Sequence, residues 1–384
     1  MSSNSSFTGD YMKEQEGNRH ALYMEVYKKI KEDIILGKYP AGSLLPTEME
    51  LADAFFVSRI TIQKAMQLLK KEGYISRTPG RGTFVETIPT KPHQHTIGLI
   101  LCNIAYSFGL NILMVVERTA AAHGYHVIFK NSIDSLQEET KAINDLVAFG
   151  VEGIIIQPVH SEFYNETLVK LHFRKFPIVL VDRYFAGFNI PSVSTNNFEA
   201  AQAVTQYLFD KGHERIGFLC SPQANTSSVQ ERLDGFSSMY ITNRKDAEDY
   251  QILNTIMSPH SSNDSEVARR DIDIIKDFLL GNPGLTALIS SEFSVTRLLM
   301  TALHEIGKSV PDDYSLIMFD SYESVTLPLF THVYQDQEEI GRIAFETLLE
   351  TIAEKQVANK IYVPFKIIEG NTVKDLRASC SQKS

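Results

Sequence analysis

The stretch GKYPAGSLLPTEMELADAFFVSRITIQKAMQLLKKEGYISRTPGRGTFV, which runs from Gly37 to Val85, decides how the N-terminal part of this chain folds. Thr47, followed three residues later by Glu50, has the pattern of a capping box and predicts the start of a helix. A second helix is predicted to begin at Ser58 and to end at the glycine of Lys-Glu-Gly. The stretch therefore contains two short helices joined by a tight turn.

The residues on either side of these helices complete a small domain. Apolar residues recur every four positions in Ala21–Leu36, which predicts a preceding helix. Ile75–Arg77 and Thr83–Val85 are extended in character and flank the turn Pro79–Gly82, which predicts a two-stranded hairpin. Three helices followed by a hairpin make a winged helix-turn-helix, which we assign to residues 18–87.

The helix that begins at Ser58 has the polar surface that a DNA-reading helix needs. With its apolar side in the core, Arg59 and Gln63 share the outward face, and Ile60 and Lys64 lie beside them. Arginine matches guanine, glutamine matches adenine, and an isoleucine can contact a thymine methyl group. Such a face taken alone is more typical of a helix exposed to solvent. The neighbouring hairpin reverses that preference.

The hairpin tip Gly80-Arg81-Gly82 suits contact with DNA. The two glycines let the backbone approach the sugar-phosphate wall closely, and Arg81 can enter a narrow minor groove. The formal net charge of the chain is −10, which by itself disfavours nucleic acid. Ser58–Thr83, however, contains six Lys or Arg residues and one Glu, so the basic charge is concentrated where the predicted reader lies.

Length and composition place the rest of the chain. A chain of 384 residues exceeds what one hydrophobic core usually supports, so at least two folding units are expected. Residues 1–17 are polar and predict a disordered tail without a secretion signal, and the chain has no apolar run long enough to span a membrane. We therefore expect a cytoplasmic protein. The three scattered cysteines, Cys102, Cys220 and Cys380, predict neither disulfides nor a metal site.

Residues 96–384 have the pattern of an α/β domain, and residues 88–95 form a proline-containing linker before it. Apolar strand candidates alternate with longer helical segments, which predicts parallel sheets covered by helices. The candidates exceed one doubly wound sheet, so two similar lobes are expected. They are Ile97–Cys102, His126–Lys130, Gly153–Gln157, Ile178–Asp182, Arg215–Cys220, Leu285–Ser290 and Ser315–Phe319.

Two-lobed α/β proteins bind small molecules in the cleft at the carboxyl ends of their strands. We expect the chain to pass between the lobes near residues 193–196, 320–323 and 333–336. The loops at these strand ends supply polar side chains, each of which could instead be a charge between lobes or on the surface. The candidate ligand contacts are Asn103, Tyr106, Gln157, Arg183, Asn196, Arg232, Ser291, Asp320 and Gln335.

The first domain resembles the winged-helix domain of the GntR family of bacterial transcription regulators. The matching motifs are Leu-Pro-Thr-Glu-x-Glu-Leu, Val-Ser-Arg-x-Thr-Ile, and Glu-Gly-Tyr-Ile followed by Gly-x-Gly-Thr-Phe-Val. The resemblance implies that Arg59 reads a base or anchors beside one and that the Gly80–Gly82 tip enters the minor groove. It also implies phosphate contacts from Thr47, Ser58 and Thr61.

Two positions depart from the GntR pattern. Met49 stands where the family often has arginine, and Gln63 replaces a frequent arginine after Thr-Ile. We therefore expect fewer phosphate contacts and a different operator preference.

Thr96–Lys374 resembles the sensor of LacI-type repressors, which is itself similar to periplasmic sugar-binding proteins. The motifs occur in order and include Gly150–Ile156, Pro177–Arg183, Val193–Ala201, Lys211–Leu219, Glu231–Phe236 and Val310–Ile317. A GntR reader joined to such a sensor resembles the arabinose-repressor subfamily. The resemblance implies a periplasmic-binding-protein-like fold and a dimeric repressor of double-stranded operator DNA. Its effector would be a sugar such as arabinose or another carbohydrate-type metabolite.

Within the sensor, the resemblance implies that Arg232 and Asp320 bond to ligand hydroxyls or to a ring oxygen. Ser291-Glu292 and Asp320-Ser321 depart from the family pattern of Asn-Asp or Asn-Glu and of Asp-Asp. The set of groups that binds the hydroxyls is therefore expected to differ.

An enzyme is the main competing class. The first strand of the α/β part is followed by Asn-Ile-Ala-Tyr instead of a glycine-rich phosphate loop, and the chain has no Gly-x-Ser-x-Gly elbow. His213 is better explained by packing at a strand entry than by catalysis. We therefore expect no enzymatic activity, no cofactor and no metal. The winged helix also disfavours a secreted solute-binding protein.

Overall fold

The structure is a computed structural model, which describes residues 22–35, 37–86, 95–102, 104, 107–161, 164–222, 226–245, 249–257, 265–320 and 330–377. The described residues belong to two compact units, a small N-terminal unit and a larger one that holds the rest of the chain. The predicted tail and all of the predicted linker except His95 lie outside the described residues. Within these ranges, no helix has both the length and the apolar character needed to cross a membrane.

The N-terminal unit is the predicted winged helix-turn-helix. It consists of α1 (22–35), α2 (Glu48–Phe55), α3 (Arg59–Lys71), β1 (Ile75–Thr78) and β2 (Gly82–Val85). β1 and β2 pair antiparallel and form the wing. The apolar side of α3 packs into one core with α1, α2 and the wing, through Val26, Ile30, Leu51, Ile62, Ala65, Leu69 and Val85.

The predicted caps fix both helices of the helix-turn-helix. The Thr47 hydroxyl accepts the backbone N–H of Glu50, and the Glu50 carboxylate accepts the backbone N–H of Thr47 at 2.7 Å. The Ser58 hydroxyl accepts the backbone N–H of Thr61. Because free N–H groups at a helix start are costly to leave unpaired, these caps set where α2 and α3 begin.

The larger unit alternates strands and helices. In chain order it contains β3 (Thr96–Leu101), α4 (Ser107–Ala122), β4 (His126–Asn131), α5 (Leu136–Phe149), β5 (Ile154–Ile156), α6 (Glu166–Phe173), β6 (Ile178–Val181), β7 (Ser192–Thr195), α7 (Asn197–Asp210), β8 (Ile216–Leu219), α8 (Ser227–Thr242), β9 (Tyr250–Leu253), α9 (Ser265–Gly281), β10 (Ala287–Ser290), α10 (Phe293–Glu305), β11 (Ser315–Phe319), β12 (Thr331–Gln335), α11 (Gln337–Ile352), β13 (Lys360–Val363) and β14 (Phe365–Ile368). All seven strands predicted from the sequence are present within two residues of their predicted ends.

The twelve strands β3–β14 form two six-stranded sheets, one for each of the two predicted lobes. The sheet of lobe 1 has the order β13-β7-β6-β5-β3-β4 with every pair parallel. The sheet of lobe 2 has the order β14-β12-β11-β10-β8-β9, in which only the β12–β14 pair is antiparallel. Apolar side chains of both sheets are buried beneath the helices. The predicted two-lobed α/β architecture is confirmed.

Within the described ranges, the chain passes between the two sheets three times, and one predicted passage is wrong. β7 leads into α7 of lobe 2, and β12 leads into α11, which packs on α4 and β6 of lobe 1. The third passage joins β13 to β14 across Pro364 instead of lying near 320–323, since β11 and β12 are neighbours in one sheet. β13 and β14 are half exposed, so they lack the buried apolar run by which the seven predicted strands were recognised.

Close packing of α7 on α8 depends on one glycine. A Cβ atom built on Gly235 of α8 would lie 2.3 Å from the carbonyl oxygen of Phe198 in α7. This oxygen belongs to the backbone of a helix, so it can move away only if α7 itself shifts. Gly281, at the end of α9, faces open space instead.

We predict that Gly235→Ala lowers the unfolding free energy of the larger unit by about 2 kcal/mol, because overpacking must push α7 away from α8. Urea denaturation followed by circular dichroism measures this. Gly281→Ala is the matched control and should leave the transition almost unchanged. Equal stability of the two variants would contradict this packing.

Candidate functional sites

The predicted DNA reader lies on the exposed side of α3. Arg59 and Ile60 are both 67% exposed, Lys64 is exposed, and Gln63 is half-buried. We call these four residues, together with the wing tip Gly80–Gly82, the reading face. The reading face is polar and basic. The apolar side of α3 is buried in the core, as the pattern predicted.

A residue that the sequence analysis missed organises the reading face. The Glu48 carboxylate, in the first turn of α2, accepts Arg59 Nε at 3.1 Å and Gln63 Nε2 at 2.9 Å. It also accepts Arg77 Nη1 from the wing at 3.3 Å. The hydrogen bond from Gln63, joined by Arg59, lowers the pKa of Glu48. No local pattern reveals this contact, since Glu48 lies outside the basic stretch and reaches it only through the fold.

The wing tip has the geometry that its glycines predicted. Gly80 and Gly82 have φ values of +75° and +114°, where side chains are strained, and Arg81 donates its backbone N–H to the Thr78 carbonyl. All three tip residues are exposed. A Cβ on Gly82 would lie 2.6 Å from Leu44 Cδ1, so this glycine also lets Leu44 pack on the wing.

Of the three hydroxyl residues implied as phosphate contacts, Thr47 and Ser58 are the N-caps of α2 and α3, and Thr61 lies within the first turn of α3. Thr47 and Ser58 are exposed, whereas Thr61 is buried with its Oγ1 2.8 Å from Ser58 Oγ. The first turn of α2 also carries the carboxylates of Glu48 and Glu50. The phosphate contacts of the three hydroxyl residues therefore stay a prediction.

A polar cavity of about 100 Å³ lies within the larger unit, and residues from both lobes line it. Four predicted ligand residues, Gln157, Arg183, Arg232 and Asp320, are in its wall. The structure adds residues that the sequence analysis did not single out as candidates: Cys102, Phe108, Asp134, Asp182, Ser221, Thr226, Ser228, Val229, Glu292, Phe293 and Ser294. Thr226 and Ser228 stand at the start of α8, a position that no motif marked.

The other predicted ligand residues are placed differently. Asn196 caps α7 by accepting the backbone N–H of Glu199, so it serves the helix instead of the cavity wall. Ser291 and Gln335 stand behind the wall, in contact with Arg232 and Asp320 respectively. Asn103 and Tyr106 lie outside the described residues.

Each lobe supplies one aspartate paired with one glutamine. Gln157 donates its amide Nε2 to Asp182 at 3.0 Å in lobe 1, and Gln335 donates Nε2 to Asp320 at 2.6 Å in lobe 2. Both aspartates directly follow a strand and have left-handed backbones, with φ values of +65° and +71°. Strain of this kind at two equivalent strand ends is typical of functional sites.

Arg232 is the most heavily constrained group of the cavity. Its Nε donates to Asn197 Oδ1 at 2.8 Å, its Nη1 donates to the Ser291 carbonyl, and its guanidinium lies 4.3 Å from the centre of the Phe319 ring. Asn197 in turn donates to the Thr195 carbonyl at the end of β7. The guanidinium is therefore connected to the first passage between the lobes.

Arg183 is positioned through a buried carboxylate that the sequence analysis missed. Its Nη1 donates to the carbonyls of Pro158 and Val159 at 2.8 and 2.7 Å. Glu139 of α5, which is 1% exposed, accepts the Val159 backbone N–H and Nδ2 of Asn165 and so fixes that loop. Burial raises the pKa of Glu139. In the sequence, a glutamate in an amphipathic helix is expected to face solvent, so the pattern gave no sign that Glu139 is buried and positions this loop.

Several polar atoms at the cavity lack partners within the part of the chain that the structure describes. They are Gln157 Oε1, Gln335 Oε1, Thr226 Oγ1 and Ser291 Oγ. All four side chains are at most 3% exposed. Because a buried polar group without a hydrogen bond costs about 1–3 kcal/mol, such a cluster indicates a place for a polar ligand.

Burial disfavours the ionised form of two carboxylates of the cavity. Burial raises the pKa of Asp320 to about 6, against the opposing effect of Arg232. Burial also raises the pKa of Glu292.

His213 does not line the cavity. Its ring nitrogens contact Thr286 Oγ1 and the Lys374 carbonyl, so it packs at a strand entry as predicted.

Comparisons with known proteins find a match for each of the two units. Residues 22–85 match the family of bacterial regulatory proteins, gntR family, and residues 205–373 match the periplasmic binding protein-like domain. The arabinose metabolism transcriptional repressor of Geobacillus stearothermophilus is 26% identical over 367 residues, which cover 91% of this chain and 97% of the repressor.

Solved structures share the fold of the larger unit. One is a periplasmic binding protein/LacI transcriptional regulator from Alkaliphilus metalliredigens complexed with D-xylulofuranose, with a TM-score of 0.62 and 22% identity over 73% of this chain and 99% of that one. Another is a LacI family regulator from Enterococcus faecium with bound ribose, with a TM-score of 0.59 and 22% identity over the same shares. The chain is therefore a transcriptional regulator with a gntR-type helix-turn-helix domain followed by a periplasmic binding protein-like domain.

Proposed function

We propose that this chain is a dimeric repressor that binds operator DNA through its reading face and whose operator affinity is controlled by a small carbohydrate in the cavity. It acts in the cytoplasm as a regulator, without enzymatic activity and without a membrane partner. The domain boundaries are 18–87, 88–95 and 96–384. The observation that carries the proposal is the presence, in one chain, of an exposed basic helix-and-wing surface and a cavity with unpartnered polar atoms.

The reading face supports DNA binding through its geometry. Arg59 and Gln63 both donate to the Glu48 carboxylate, which holds the two side chains on the same side of α3 and restricts their rotamers. Groups that are ordered before binding lose less entropy on reaching base edges. Arg81, exposed at the wing tip, is free to follow the minor groove beside them.

The cavity supports a carbohydrate effector. Carboxylates, amide oxygens and guanidinium groups converge on it from both lobes, and sugar hydroxyls can donate to the first two and accept from the third. Relatives point to the same class, since one is named an arabinose metabolism repressor and another a ribose operon repressor. Arg232 and Asp320 are the side chains that we assign to ligand hydroxyls.

The two lobes provide the switch. A ligand that bonds to Gln157 and Arg183 of lobe 1 and to Arg232 and Asp320 of lobe 2 changes the free energy of one lobe orientation relative to others. In a dimer, such a rotation changes the spacing of the two reading faces relative to the half-sites of an operator.

We predict that Arg59→Ala weakens operator binding by about tenfold or more, because one charge-assisted contact to a base edge is worth about 1–3 kcal/mol. Fluorescence anisotropy with DNA from upstream of the chain's own gene measures the affinity. The matched control is Arg270→Ala, an exposed arginine of α9. Wild-type affinity of Arg59→Ala would refute the assignment of the reader.

We predict that the effector stabilises the protein less at pH 5 than at pH 7.5. Because the folded pKa of Asp320 is raised to about 6, its protonation stabilises the unliganded fold below that pH, and this contribution is lost as the pH rises through 6. Protonation of Asp320 also weakens the binding of a ligand whose hydroxyl donates to the ionised carboxylate. Thermal shifts with L-arabinose and D-ribose at both pH values test this, and Asp320→Asn should remove the difference.

We predict a homodimer, since a palindromic operator needs two reading faces. Sedimentation velocity at micromolar concentration should show a species of twice the 43.3 kDa chain mass. A purely monomeric protein under these conditions would contradict the dimer.

A further inference from the structure

Three large apolar side chains are exposed around the first turn of α3. Met49 is 69% exposed, Phe56 is 95% exposed and Ile60 is 67% exposed. All three lie outside the core cluster of the N-terminal unit. A single exposed apolar side chain is ordinary on a protein surface, whereas several of them close together mark a contact surface.

The three side chains surround Arg59. Ile60 follows Arg59 directly, and Phe56 precedes it by three residues, which span at most about 11 Å of chain. Met49 follows Glu48, whose carboxylate lies 3.1 Å from Arg59 Nε. We call Met49, Phe56 and Ile60 the apolar rim. The apolar rim is continuous with the reading face, because Ile60 belongs to both.

The backbone at Phe56 is strained. Its φ of +52° and ψ of +41° lie in the left-handed region, which a bulky side chain adopts only at a cost in free energy. This conformation ends α2, after which Val57 packs against the core and Ser58 caps α3. Five other helices end at a glycine with positive φ: Gly73, Gly124, Gly150, Gly212 and Gly307. Glycine would serve this turn better than phenylalanine, so the exposed ring points to a role outside the fold.

Charge and chemistry identify what the apolar rim contacts. Arg59 and Lys64 are exposed beside it and attract an anionic partner. The major groove of DNA has anionic walls, and its base edges carry one apolar group, the 5-methyl group of thymine. An apolar side chain can contact that methyl group but cannot read the polar edges of guanine or adenine. Thymine is therefore the base that suits the apolar rim.

We propose that Phe56 and Met49, together with Ile60, read thymine methyl groups of the operator beside the base contacts of Arg59 and Gln63. The proposal rests on the proposed function, because it extends the DNA interface of the reading face. It assigns to the operator at least one thymine whose methyl group contributes to affinity.

Replacement of thymine by uracil tests the contact directly. Deoxyuridine lacks only the methyl group, so every hydrogen bond of the base pair is kept. Fluorescence anisotropy with the full chain and DNA from upstream of its own gene is repeated with each thymine of the bound site replaced in turn. We expect at least one replacement to weaken binding by about fourfold, since one buried methyl group contributes about 0.8 kcal/mol.

The same scan on variants assigns the loss to the apolar rim. In Phe56→Gly or Met49→Ala, the loss at that thymine should fall below about twofold, because the methyl group no longer has its partner. Ile241→Ala, which removes an exposed apolar side chain of α8, is the matched control and should keep the full loss. The proposal is overturned if no thymine shows a loss, or if both rim variants keep the wild-type loss.

Hydrogen exchange in the full chain separates a contact with DNA from a role in the fold. Phe56→Gly relieves the strained turn, so exchange of the buried α3 amides of Ile62 and Leu69 should slow by about threefold, while operator binding weakens by about fivefold. Glu354→Gly is the matched control, because Glu354 has a φ of +55° after α11 and lies in the larger unit. It should leave operator affinity unchanged.

Two results for Phe56→Gly contradict the proposal. Wild-type operator affinity overturns it, and so does weaker binding accompanied by faster exchange, which would make Phe56 a residue of the fold. Both results leave the proposed function intact as long as the wild-type chain binds this DNA. If the wild-type chain does not bind it, the proposed function and this proposal both fail.

Discussion

The guanidinium of Arg232 is the group on which the arrangement of the sensor unit depends. It is 4% exposed, and an isolated buried charge would cost several kcal/mol. Asn197, the Ser291 carbonyl and the Phe319 ring offset that cost, and these belong to the start of α7 and to the ends of β10 and β11. One side chain thus connects the cavity wall with the first passage between the lobes.

Carboxylates position the polar groups of both sites. Glu48 collects Arg59, Gln63 and Arg77 on the reading face, and Glu139 holds the loop that fixes Arg183. The aspartates of the cavity orient the glutamines in the same way. A carboxylate accepts several donors at once, so a single acid can order a cluster. Of these acids, only the two aspartates, Asp182 and Asp320, line the cavity.

Much of the fold was predictable because it depends on local signals. The capping box at Thr47, the cap at Ser58 and the glycine-tipped wing each fix an element through bonds within a few residues. Seven strands were recognised from their apolar runs, but β7, β9, β12, β13 and β14 were not. β7 and β12 contain polar residues, and β13 and β14 are half exposed. The third passage between lobes was misplaced because β13 and β14 were missed.

The sequence alone determined that a basic winged helix precedes a two-lobed α/β domain, and it identified Arg232, Asp320, Gln157 and Arg183 as residues at strand ends or helix motifs. Only the tertiary structure decided which of them converge, that Asn196 is a cap, and that Glu48 and Glu139 organise the sites. The reason is that capping and periodicity act over a few residues, whereas a hydrogen bond between side chains depends on where distant elements bring their ends together.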